Sequence, residues 1–286
     1  MSTRPSLSGY FVSGALTSLG MAVFKNSDVP PILSSPLAAR HRNLPVVDIG
    51  TNVGTDLTIP AAQLGHTVYS FEPTPATYDK LLRNLGHHNI SFNRDLRDQN
   101  LQRQQRNTVN KGNARRGHVF ALNMAVSNRS GVAVLVQDRV GGFSNSLNGA
   151  AALPRNWNHS TVSVNVATLD SILQHEEQGL FLLKIDSQGH EYHVLTGALE
   201  YIKTHPIYAI LLEYYPKGMA AAGVDPLDLL YLLYGQLGLQ CFDTGPSAAK
   251  TSLSLEDFAH KAYPVVIGTP HFGRWTDLLC LNFRLV

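Results

Sequence analysis

Two stretches, VVDIGTNVG at residues 46–54 and VYSFEP at residues 68–73, limit this chain to few folds. Each begins as an apolar run of strand length. The first breaks into a turn containing glycine, and the second stops on a carboxylate. Between them, TDLTIPAAQLG has helical length and stops at Gly65. Pro60 is tolerable there if the helix begins near Thr55, because first-turn N–H groups lack intrahelical partners anyway. Strand, helix and strand in that order make a parallel pair joined by a helical crossover.

The alternation continues downstream. TPATYDKLLRNLG reads as a helix, with Thr74 placed to cap it, Pro75 in its first turn and Gly86 to end it. HVFALNMAVS, FLLKID, YAILLEYY and TDLLCLNF read as strands, and 195–202 and 227–237 as helices. The expected fold class is α/β, a mainly parallel sheet with helices on both faces. Ligands of such sheets bind beyond the carboxyl ends of the strands. Four strands place an acid there: Asp48, Glu72, Asp186 and Glu213.

Residues 1–43 read as an N-terminal extension and 44–286 as the α/β domain. The apolar run YFVSGALTSLGMAVF, at 15 residues, is shorter than the roughly 20 that cross a bilayer. A helix packed on the domain is the favoured reading, in keeping with a cytoplasmic protein; a signal, anchor or organelle-transit segment is the alternative. SDVPPILSSP then reads as an extended connector, since each proline biases its predecessor away from helix. Residues 93–116 interrupt the alternation with seven basic and two acidic residues and almost no apolar ones. They are expected to form a solvated surface loop. With 23 Lys and Arg against 21 Asp and Glu, the net charge of +2 does not mark a general nucleic-acid binder. A nucleic-acid grip confined to 93–116 is the sharper alternative, but no aromatic residue interleaves the charges to stack on bases. Cys241 and Cys280 lie in apolar contexts without CxxC or histidine spacing and read as buried reduced thiols.

The turn at 50–55 discriminates between cofactors. A nicotinamide-binding turn asks for G-x-G-x-x-G, and the three positions here are Gly50, Asn52 and Thr55. The second glycine lets the backbone approach a pyrophosphate, and Asn52 puts a side chain in its place. S-adenosylmethionine has no phosphates. It needs a tight turn with open amides near its carboxylate, an acceptor for its ammonium and a carboxylate for its ribose hydroxyls. DIGTNVG offers the turn and Asp48, and Glu72 ends the second strand where a ribose would lie.

A third stretch adds support. LLKIDSQGHEYHVLTGA, residues 182–198, runs a strand into Lys184 and Asp186, a turn through Gly189 and a helix headed by Glu191. With NMAVSNRSG at 123–131, VATLDSIL at 166–173 and ILLEYYP at 210–216, the chain resembles the FkbM family of S-adenosylmethionine-dependent methyltransferases over roughly 44–283. The D-x-G-x-N-x-G, F-E-P and K-I-D-x-x-G-x-E motifs carry the resemblance. Two departures are the 93–116 insertion and Ser187-Gln188, where the family more often has Val-Glu. The resemblance implies the class I methyltransferase fold, seven strands with the last antiparallel. It also implies that Gly50, Asn52, Gly54 and Thr55 hold the methionine end, Glu72 the ribose, and Asn123 to Ala125 the adenine border. Asp186 would lie near the sulfonium and the acceptor.

An alcohol acceptor needs its proton removed, so a base near the cofactor mouth is expected. Asp186 ranks first by proximity, then His190 for a pKa near neutrality, then Glu213. Each has a plainer role: Asp186 bonding the cofactor, His190 capping the next helix, Glu213 orienting a turn. No metal site is expected, because Asp186 and Glu213 lack a third ligand and HEYH at 190–193 lacks zinc-protease spacing. GGFSNSLN at 141–148 reads as a loop near the acceptor or an ordinary hairpin. The expected function is O-methylation of a hydroxyl on a small molecule or glycan. The alternatives are RNA methylation through the basic insertion and a non-catalytic S-adenosylmethionine-binding module. The oligomeric state is not legible in the sequence.

Overall fold

In chain order, the eleven strands among the described residues of this protein, seen in a computed structural model, sort into two sheets. The structure describes residues 31–96, 117–138, 147, 159–243 and 276–285. Along the chain lie α1 (Pro36–Arg40), β1 (Val46–Ile49), α2 (Thr58–Gln63), β2 (Val68–Phe71), α3 (Pro75–His87), β3 (Ser91–Asn93), β4 (His118–Leu122), β5 (Ala125–Val126), β6 (Gly131–Asp138) and β7 (His159–Ala167). Then come α4 (Leu169–Ile172), β8 (Leu180–Ile185), α5 (Glu191–Thr196), α6 (Leu199–Thr204), β9 (Ile207–Tyr214), α7 (Pro216–Ala221), α8 (Pro226–Leu230), β10 (Gln240–Asp243) and β11 (Thr276–Leu281). A wider, π-type turn, Tyr231–Gln236, prolongs α8.

The main sheet has eight strands in the order β10-β11-β9-β8-β1-β2-β4-β3. Its β4-to-β10 part holds the seven expected strands, with β11 running antiparallel between β9 and β10. The eighth is β3, an edge strand parallel to β4. Its Asn93 belongs to the sheet, so the expected loop begins after it; 97–116 lie outside the described residues. Residues 46–49 are buried throughout, and the strand alternates between two cores. Val47 and Ile49 join one cluster with Phe71, Leu183 and Leu212; Val46 joins the other with Val68, Phe181 and Leu182. A strand covered on both faces reads as a continuous apolar run, which is why these strands were visible in the sequence. Truncating a fully buried ring such as Phe181 to alanine would cost about 3–5 kcal/mol.

Local chemistry sets the helix starts. Pro36, Pro75, Pro216 and Pro226 each open a helix. Ser35, Thr168 and Asp225 accept first-turn N–H groups at α1, α4 and α8. Three expectations are corrected here. The connector expected at 27–36 is not extended where it is described: residues 31–34 form a 3-10 turn, and Ser35 bonds Ile32 behind it and Ala38 ahead. Ile32, Leu33 and Leu37 are buried in the core, and that burial turns the segment inward. The apolar run at 10–24 lies outside the described residues. At α3, the Thr74 side chain does not cap; a Glu72 oxygen accepts the Thr74 N–H at 2.8 Å, and the helix passes Gly86 to end at His87.

The third correction concerns the cysteines. Cys241 and Cys280 are not thiols but a disulfide. They are register partners on adjacent antiparallel strands, β10 and β11, both buried. No local spacing announces such a pair, because it depends on how two strands align whose cysteines are 39 residues apart. Among the described residues, no helix is long and apolar enough to cross a membrane.

Candidate active site

Strand order reverses at β1: β2 and β4 lie on one side, β8 and β9 on the other. Above this switch point the turn after β1 meets the turn after β8. Gly50, at φ 71°, sits so close that a Cβ there would stand 1.8 Å from the carbonyl oxygen of Asp186. Only glycine tolerates both that backbone angle and that approach. Asn52 is also left-handed, at φ 52°.

A cleft opens at this junction. Ile49, Phe71, Pro73, Met124 and Leu135 give it apolar walls, and Glu72 and Asp186 put two carboxyl groups into it. Of the expected cofactor residues, Gly50, Asn52, Glu72, Ala125 and Asp186 line it.

Asp48, Gly54, Thr55 and Asn123 do not line it. Asp48 is 1% exposed; its Oδ2 accepts the hydroxyls of Thr51 and Thr58 at 2.8 and 2.7 Å, and its Oδ1 faces Lys184 Nζ at 3.4 Å. It braces the turn from beneath. Gly54 packs on the Leu81 side chain, and Thr55 is exposed with its hydroxyl on Asp56. Asn123 Nδ2 donates to the carbonyls of Glu72 and Pro73 at 2.8 and 3.1 Å, tying the end of β4 to the segment after β2. The turn also differs from the open-amide expectation. Gly50 and Thr51 N–H groups bond Phe71 O, that of Asn52 bonds Glu72 Oε2, and that of Gly54 bonds Thr51 O. Buried backbone donors find partners inside the protein where they can.

Electrostatics separate the carboxyl groups. Burial pushes the Glu72 pKa up to about 7, against the pull of the Thr74 and Asn52 hydrogen bonds and Lys184. Burial disfavours the ammonium of Lys184, yet Asp48 and Asp186 more than offset it and raise its pKa. Asp186 lies 3.5 Å from Lys184 Nζ and accepts Gln188 Nε2 at 3.2 Å. The same Gln188 nitrogen donates to Glu213 Oε2 at 2.9 Å. Glu213 does not line the cleft. Burial, then repulsion from Asp186, Glu191 and Asp277, raises its pKa well above the ordinary carboxylate value and favours the neutral acid.

His190 lines the cleft but does not cap α5 with its side chain. Its Nε2 pairs with Ser127 Oγ at 2.9 Å, and its ring stacks on His193 at 4.5 Å. Burial, then His193 and Arg129, lower its pKa to about 3, so the ring is neutral near pH 7 and a weaker base than its type implies. Sequence reasoning missed three supports. Glu191 is fully buried and gathers Ser187 N–H, Ser187 Oγ and Gly189 N–H on Oε1, shaping the turn that aims Asp186. Its place at the head of a helix was the available signal. Gln188 stands two residues past Asp186, and its part as a shared donor needed the β9 partner to be visible. Ser127, 63 residues from His190, had no sequence signal. Among the described residues, no three His, Cys, Asp or Glu side chains gather to hold a metal ion. Residues 141–148, save Leu147 in the cleft wall, lie outside the described residues.

Comparison with known families matches residues 48–237 to the methyltransferase FkbM domain, more than half of the chain. No curated protein matches. Solved structures include a protein from Streptococcus mutans described as a methyltransferase, in complex with SAH, at 9% identity and TM-score 0.39, over 98% of this chain and 99% of that one. An rRNA methylase from Streptococcus thermophilus aligns at 11% identity and TM-score 0.39, over 91% and 99%. Both superpose too loosely to carry an inference about this chain.

Proposed function

We propose, for a chain that belongs to the FkbM methyltransferase family, that the cleft at the β1–β8 junction binds S-adenosylmethionine and serves O-methylation of a hydroxyl on a small molecule or glycan. One observation carries the cofactor choice. Glu72 and Asp186, just past the carboxyl ends of β2 and β8, both line the cleft, where a ribose and a sulfonium each ask for a carboxylate. A pyrophosphate would meet acids there. A cofactor with a sulfonium and an ammonium meets the complementary charge.

On this reading Glu72 accepts the ribose hydroxyls and the apolar walls flank the adenine. S-adenosylmethionine supplies the electrophilic methyl group when bound. The protein's part would be alignment and proton removal: Asp186, held by Lys184 and Gln188, would take the acceptor hydroxyl's proton and keep its oxygen directed at the methyl donor. His190 is a secondary candidate, weakened as a base by its lowered pKa. Calorimetry tests the proposal directly. S-adenosylmethionine should bind and NAD should not; tight NAD binding without S-adenosylmethionine binding would overturn it. A panel of hydroxylated acceptors with labelled cofactor then tests the transfer.

A further inference from the structure

A second cleft adjoins the first and shares His190 and Leu147 with it. It is lined by the β5–β6 loop, Ser127 to Ser130, and by His193 with Ala221 and Ala222 at the end of α7. The two clefts differ in charge. The first is walled by Glu72 and Asp186; the second has no carboxylate among its described lining residues, and Arg129 is their sole full charge. Arg129 is exposed on its loop, and its field reaches both imidazoles, where it adds to burial in lowering their pKa values. His193 Nδ1, shielded from solvent, has no hydrogen-bond partner.

We infer that this second cleft receives the methyl acceptor, and that the acceptor carries an anionic oxygen group which Arg129 holds. The inference rests on S-adenosylmethionine occupying the first cleft. A cationic cofactor on the acidic side and an anionic acceptor on the basic side each meet the opposite charge, and neither competes for the other's place. The shared His190 marks where the acceptor hydroxyl passes toward Asp186. Guanidinium binds phosphate and carboxylate alike through paired N–H donors, so the shared chemistry is the anionic group itself.

The experiment uses the full chain saturated with S-adenosylmethionine, with inorganic phosphate and acetate as probes and chloride as an ionic-strength control. Histidine ring resonances followed by NMR report occupancy. Phosphate or acetate should shift the His193 signal saturably and raise its pKa, and chloride should not. Arg129→Gln should weaken that response at least about tenfold, and Arg129→Lys should keep most of it. Whichever probe responds identifies the anionic class. No response to either probe, or an equal response in Arg129→Gln, overturns the inference. Absence of S-adenosylmethionine binding by calorimetry would instead sink the reading of the first cleft, so the two failures are distinct.

Discussion

Asp48 and Lys184 face each other as register partners on β1 and β8, with Lys184 Nζ 3.4 Å from Asp48 Oδ1. The same ammonium reaches Gly50 O and Asp186 Oδ2, each at 3.5 Å. One cation thus ties the turn after β1 to the aspartate after β8. Removing one member of a buried pair strands the other, so Lys184→Met should destabilise the fold by about 3–5 kcal/mol. Adding Asp48→Asn should recover part of that loss. Urea unfolding of the single and double variants measures both, and a loss below about 1 kcal/mol would show the pair to be dispensable.

Glu213 predicts a pH dependence. Its folded pKa lies above the ordinary carboxylate value, so the stability it contributes is full below about pH 4.5 and is lost as pH rises toward the folded pKa. Glu213→Gln removes this slope and leaves an amide oxygen to accept Gln188 Nε2. Relative to the parent, the variant should gain stability as pH rises from 5 to 8. Melting curves at the two values decide; parallel curves would mean that Glu213 is ionised in the fold.

Glu72→Gln should weaken S-adenosylmethionine binding by roughly tenfold to a hundredfold, the cost of a ribose hydroxyl left without its ionised acceptor. The amide oxygen can keep one of the two backbone contacts, to Asn52 or Thr74. Calorimetry that returned an unchanged Kd would remove Glu72 from the cofactor site.

Asp186→Asn should slow methyl transfer by ~10² or more at saturating cofactor, as loss of a base does. Cofactor affinity should change far less. Single-turnover transfer with labelled cofactor separates the two, and wild-type turnover would reduce Asp186 to a strand end.

These expectations differ in how far the sequence alone supported them. Six strands of the main sheet were legible, whereas β10, Gln240–Asp243, was not; β1, β2 and β8 were plainest because they are buried on both faces and read as unbroken apolar runs. The acids at their ends were legible for the same reason, as polar residues closing apolar runs. What each acid does was not legible. Asp48 and Glu72 look alike in sequence, yet the Asp48 side chain turns into the sheet toward Lys184 and that of Glu72 toward the cleft. Edge strand β3, three residues of SFN, is too short to show periodicity. The Cys241–Cys280 bridge and the Ser127–His190 pair depend on tertiary register, which no local spacing encodes.

The basic insertion links β3 to a strand parallel to it, so its replacement must still make a crossover of about a dozen residues. Gly117 marks where the chain rejoins the described body, its N–H on Ala62 O and no room for a Cβ against His66. Exchanging 97–116 for a Gly-Ser linker of about that length should alter stability by under about 1 kcal/mol. Methyl transfer to a small acceptor should survive. Loss of turnover with cofactor affinity intact, and a steep fall of the parent's rate with salt, would move the acceptor assignment to a nucleic acid.

The placing of β11 between β9 and β10 has a consequence for synthesis on the ribosome. β10 pairs with β11 and with no other described strand, and 32 residues separate the end of β10 from the start of β11. A nascent chain that has released only as far as β10 exposes the open edge of β9 and an unpaired β10 together. That edge invites chaperones or another chain until Thr276–Leu281 emerges, enters between the two strands and brings Cys280 beside Cys241.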